Sequence, residues 1–93
     1  MIQIDGAIAS VSGVMTISSA SRLLVAGTEA IDAAVTTFDL SAVTDVDSAG
    51  LAVMFAWLRR AKDRNVALMF CNLPKSLDSL AAVYDVADLL PQT

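Results

Sequence analysis

The residues with the greatest chemical capacity crowd into one stretch, Asp39-Leu40-Ser41-Ala42-Val43-Thr44-Asp45-Val46-Asp47-Ser48-Ala49-Gly50-Leu51. Three carboxylates (Asp39, Asp45, Asp47) and three hydroxyls (Ser41, Thr44, Ser48) fall within ten residues of it. Carboxylates at such spacing suggest three uses: a cation site, acid–base work, or capping of a helix. The cation reading is the weaker, because the spacing matches no calcium loop. Acid–base catalysis lacks a nucleophile–base pair, since the chain has no histidine at all; Ser/His/Asp chemistry, Cys/His chemistry and His-ligated zinc fall with it. No glycine-rich phosphate loop occurs among the four glycines, which argues against Walker-type nucleotide binding. Capping is the plain reading of Asp47-Ser48 before an apolar-periodic run. A hydroxyl at such a helix start, over free backbone N–H groups and the positive dipole end, can also carry a phosphoryl group or receive a docked protein. No catalytic residue, metal or cofactor is expected.

That stretch needs a strand to deliver it and a helix to follow it. Ala33 to Leu40 is a breaker-free run suited to a buried strand. From Asp47-Ser48 onward, at 100° per residue, Leu51, Met54, Phe55, Leu58 and Ala61 share one face, and Arg59, Arg60 and Asp63 fall away from it. Asn65 ends this helix. Upstream, Met1 to Ile17 is rich in β-branched and small residues, with Asp5-Gly6 and Ser12-Gly13 as turns, and predicts two or three short antiparallel strands. Ser18 to Ser21 then suits a helix start, with Leu23, Leu24 and Ala26 as its stripe and Gly27 as its stop. Downstream, Val66 to Phe70 is strand-like, and Asn72-Leu73-Pro74 opens a helix whose buried stripe is Leu77, Leu80, Ala81 and Tyr84. One more turn is expected over Val86 to Leu90, before Pro91. Strands followed by helix–strand–helix–strand–helix imply an α/β sandwich: a mixed sheet, helices mainly on one face, right-handed crossovers, and a single domain over residues 1–93.

Composition narrows the function further. Six Lys+Arg against ten Asp+Glu give a net charge of −4, with no basic footprint for nucleic acid. The lone thiol, Cys71, forms no intramolecular disulfide and reads as a small core hydrophobe. Arg59, Arg60, Lys62 and Arg64 are the one basic cluster; their place near a helix end suits the dipole and a solvated face better than a lipid surface. The apolar fraction, 56%, exceeds the roughly 45–50% of ordinary chains. Neither Gly6 to Ser21, interrupted by serines, nor the ten residues Ala49 to Leu58 reaches the ~20 apolar residues of a membrane span, and no Lys/Arg-led signal stretch opens the sequence. A cytoplasmic protein is expected. Its apolar excess implies a partner surface, for another protein or for a second copy in a homodimer.

Phe38-Asp39-Leu40-Ser41 followed by Val46-Asp47-Ser48-Ala49-Gly50-Leu51 resembles the signature of STAS domains, the fold of bacterial anti-sigma-factor antagonists. The resemblance covers residues 33 to 93 well and the first 30 by strand pattern. In the antagonists the motif is usually Asp-Ser-Ser-Gly, with the second serine phosphorylated by the anti-sigma kinase; here that position is Ala49, which carries no acceptor oxygen. A hydroxyl followed by a small residue is instead similar to the STAS subunit of the Mla phospholipid ABC transporter, as is the ending Leu80-Ala81-Ala82-Val83-Tyr84-Asp85-Val86-Ala87-Asp88-Leu89-Leu90-Pro91. The resemblance implies a non-enzymatic module docking on the transporter's ATPase subunit, and so peripheral on the inner membrane through that partner. The alternative it implies is an anti-sigma-factor antagonist phosphorylated at Ser48. Asp47, Ser48, Ala49 and Gly50 then form the partner-binding loop, with Gly50 admitting a partner's backbone. Val53 and Trp57, one turn apart and rotated from the apolar face, extend that patch as an anchor; the competing reading packs Trp57 in the core against the helix over 77–84.

Overall fold

The computed structural model describes residues 1–93. Alternating apolar residues build β1 (Ile2–Asp5) and β2 (Ile8–Met15), an antiparallel hairpin turning at Gly6-Ala7. Helix α1 (Ala20–Asp32) crosses over to β3 (Thr37–Val46), and α2 (Ser48–Asp63) crosses over to β4 (Met69–Cys71). Helix α3 (Lys75–Val83) and a 3-10 turn (Ala87–Leu89) finish the chain. The sheet order is β1-β2-β3-β4, with β2, β3 and β4 parallel. This is the α/β architecture the pattern predicted: the first 17 residues supply two strands, and Ser12-Gly13 lies inside β2, where the register shifts, rather than at a turn.

One face of the sheet carries the core. Ala9, Val11 and Met15 of β2, Phe38, Leu40 and Val43 of β3, and Phe70 of β4 meet Leu23, Ala30 and Ile31 of α1, Leu51, Met54 and Ala61 of α2, and Leu77 and Ala81 of α3. Phe38 lies at its centre, its ring 4.4 Å from that of Trp57 and 6.1 Å from that of Phe70.

Two elements differ from expectation. Gly27 does not stop α1, which runs on to Asp32. A β-carbon at Gly27 would lie 2.1 Å from Trp57 Nε1, so the glycine is where an indole crosses the helix. The helix stops instead at Ala34, in the left-handed region at φ 78°, where the Val35 and Ala34 N–H groups donate back to Ala30 and Ile31. Asn65 (φ 57°) and Asp85 (φ 57°) end α2 and α3 in the same way. The second difference is β3, which begins at Thr37 and continues through Val46. Its length holds Asp39 and Asp47 at opposite ends of an extended segment, so the three carboxylates do not converge.

Candidate functional site

The start of α2 is organised by Asp47. Its backbone is extended, and Oδ1 accepts hydrogen bonds from the Ala49 N–H (2.8 Å) and the Gly50 N–H (3.2 Å). Oδ2 accepts from the Ile17 N–H (3.0 Å), and the Asp47 N–H donates to Met15 O. One carboxylate therefore caps α2 and ties it to the segment leaving β2. The Ile17 N–H chiefly, with those of Gly50 and Ala49, holds the Asp47 carboxyl below the usual carboxylate range.

This overturns the expectation of an open amide cradle under Ser48. The Ala49 and Gly50 N–H groups are taken by Asp47, and the Leu51 N–H by the Asp47 carbonyl. Gly50 does not admit a partner either. It is buried, and a β-carbon there would stand 2.0 Å from Met15 O, so the close approach it permits is α2 onto its own sheet. Asp47 and Gly50 shape the site from beneath.

Trp57 also leaves the surface, and Val53 keeps only the small exposed part that reaches a groove on α2. Trp57 is fully buried, stacked on Phe38 at an interplanar angle of 10°, and its Nε1–H donates to Leu23 O at 3.2 Å. Val53 is buried beside it. The indole packs against α1, not against α3, because Gly27 opens the space. Since α2 lies between α1 and α3 over the sheet, its buried arc is wider than one stripe. Tyr84, placed in the buried stripe by its spacing, is 54% exposed at the end of α3.

Ser48 is exposed and Ala49 half-exposed, and with the next turn of α2 they border two shallow apolar grooves. The first, about 300 Å³, lies between α2 and the end of α3, and is lined by Ser48, Leu51, Ala52, Phe55, Tyr84 and Val86. The second, about 260 Å³, lies toward α1, with Ala49, Ala52 and Ala56 facing Ala20, Ser21 and Leu24 and with Val53 at its floor. Ala52 is the ridge they share. Ile17 stands beyond the capped end, 77% exposed. No carboxylate, amine, guanidinium or thiol lines either groove. The arrangement offers apolar contact with one hydroxyl at its rim. Sequence reasoning missed Ala52, Phe55 and Tyr84 as surface; the uncharged run from Ser48 to Leu58 was the available signal.

Three polar groups elsewhere serve the fold. Arg60 Nε and Nη2 meet both oxygens of Asp32 at 2.9 and 2.8 Å, joining the ends of α1 and α2. Asp39 accepts from the Ser41 N–H and the Asn72 side-chain amide, which lower its carboxyl pKa in that order. Burial, with the charge of Asp39, pushes the Cys71 thiol up, away from thiolate reactivity.

No helix is long and apolar enough to cross a membrane. No curated protein matches the sequence. Among solved structures, the unphosphorylated anti-sigma factor antagonist SpoIIAA superposes with a TM-score of 0.74 at 12% identity, covering 100% of this chain and 86% of that one. A sulfate transporter family protein from Wolinella succinogenes superposes at 0.68 with 18% identity, over 89% and 69% of the two chains. These likenesses show a shared fold. A family model described as "Mlab, STAS domain" matches residues 3–91, and the chain therefore belongs to the STAS domains of the Mlab family.

Proposed function

We propose that this chain is a non-enzymatic interaction module that docks on the ATPase subunit of a phospholipid-trafficking ABC transporter, through the outer face of α2. The observation that carries the reading is the pair of uncharged grooves flanking Ala52, with Ser48 at their rim and the exposed Ile17 and Tyr84 at either side. Exposed apolar surface of this kind, rimmed by polar residues, marks a protein contact. The Mlab family membership supports the choice of partner. Docking of this kind would hold the domain against the membrane's cytoplasmic side through its partner. A phosphoryl switch at Ser48 fits less well: Ala49 has no hydroxyl, and Asp47 already occupies the N–H groups that would hold the phosphate.

Ala52→Arg sets one cationic side chain on the exposed ridge between the two grooves. Co-purification with the ATPase subunit should fall at least roughly tenfold, while the circular dichroism melt stays at the wild-type temperature. Undiminished co-purification would overturn the reading. A gain of about 80 Da on incubation with an anti-sigma kinase and ATP, absent in Ser48→Ala, would put the antagonist function in its place.

A further inference from the structure

The β1 edge of the sheet, with the outer flank of α1, carries a second surface. Strand β1 is a sheet edge, and its hydrogen-bonding phase is fixed by the hairpin. Met1 exchanges both backbone bonds with Ser12, at 2.9 and 2.8 Å. In an antiparallel ladder alternate residues direct both polar groups the same way, so Gln3, opposite Ser10, and Asp5, opposite Ile8, also face β2. The N–H and C=O groups of Ile2 and Ile4 point outward. The edge has neither lysine nor proline to blunt it, and the Ile4 side chain is 53% exposed.

A two-fold axis at Gln3 would set Ile2 of each copy opposite Ile4 of the other. All four residues then present their polar groups to one another, and four hydrogen bonds close. Four residues of edge are too little alone, but α1 lies over β1 with a free flank. Crossing from β2 back to a parallel β3, it runs in the same direction as β1. Ser19, Arg22, Leu23 and Ala26 border a cavity of about 370 Å³ with Met1 and Ile2. Gln3 lies about 3.3 Å beyond Ile2, or roughly two helical residues further along, close to Val25.

Arg22 and Glu29 stand on that flank, both exposed and neither ion-paired within the chain, with Val25 and Ala26 between them. On that spacing their midpoint, between Val25 and Ala26, falls within about one helical residue of Gln3. An axis there brings Arg22 of each copy toward Glu29 of the other and Val25 against Ala26. With α1 over the β1–β2 seam, the two helices would lie about 10 Å apart, twice the strand spacing and a normal packing distance. Both charges also oppose the dipole of their own helix: the first turn has no acidic residue and the last turn no basic one.

From these two coincident self-complementarities we infer that the chain forms a two-fold homodimer, pairing β1 edge to edge and α1 flank to flank. The dimer leaves the α2 grooves free, because they lie on the far side of α1.

Sedimentation equilibrium of the purified chain at low salt and rising concentration tests this. The mass should climb from 9.7 kDa toward twice that value. Ile4→Lys and Arg22→Glu should each raise the dimer dissociation constant roughly tenfold or more. The double reversal Arg22→Glu/Glu29→Arg should restore it, since the reversed pair is still complementary across the axis. Ala52→Arg should leave dimerisation unchanged, so loss of docking and loss of dimer are read separately. A mass that stays at 9.7 kDa up to about millimolar concentration would overturn the inference. So would a dimer indifferent to Ile4→Lys and Arg22→Glu, or a double reversal that fails to restore pairing, provided melting shows each variant folded.

Discussion

Asp47 shows how one side chain fixes a surface without belonging to it. Its two oxygens hold α2 and the segment after β2 together, so that Ser48, its neighbour, is left to face outward. Because the folded pKa is depressed, the ionised form stabilises the protein above the unfolded value of about 3.9, and that contribution is lost as pH falls through the folded value. Asp47→Asn should therefore melt below wild type at neutral pH. The gap should narrow once the pH drops below about 4, which thermal melts across an acid series will show. Ala34 makes the converse case. It occupies a left-handed position in the open, with a β-carbon that costs about 1 kcal/mol there, and Ala34→Gly should raise the urea midpoint accordingly.

Among the elements, the α1–α2 seam is the most constrained. Trp57 enters it only because Gly27 has no side chain, and α2 reaches the sheet only because Gly50 has none, with Met15 O at the spot a β-carbon would take. Gly27→Ala and Gly50→Ala should each cost about 1–3 kcal/mol or more in urea denaturation, since the obstructing atoms are a buried indole and a backbone carbonyl. Trp57→Ala should cost about 3–5 kcal/mol, the figure for emptying a core site. The same seam explains where sequence reading succeeded. Asp47-Ser48 opened α2, Asn65 closed it, and the order of strands and helices along the chain followed from the alternating patterns, because each signal is local. The length of α1 and the inward turn of Val53 and Trp57 were hidden: a glycine that reads as a stop becomes a crossing point only when a residue 30 positions later arrives against it. Likewise the uncharged run of α2 announced apolar contact but not which part of it α1 and the sheet would cover.

At the scale of the whole molecule, the layering of three helices on one sheet face decides which apolar surface stays uncovered. α1 shields one side of α2, and α3 the other only in part, its end leaving Tyr84 and Val86 beside Phe55 as a groove wall. The basic residues near the end of α2 point elsewhere: Arg60 is spent on Asp32, with Arg64 3.7 Å from the same carboxylate. Arg60→Ala should loosen the joined helix ends, seen as faster amide exchange over residues 29–33 and 60–64, without changing co-purification with the proposed ATPase partner.

The chain has a single tryptophan, and it is sealed between α1, α2 and Phe38. Its intrinsic fluorescence is thus a built-in optical gauge of that seam alone. Titration with a docking partner free of tryptophan should leave the emission maximum where it is, while urea should shift it to the red in one step; a blue or red shift on partner addition would mean that the helices themselves rearrange when the surface is occupied.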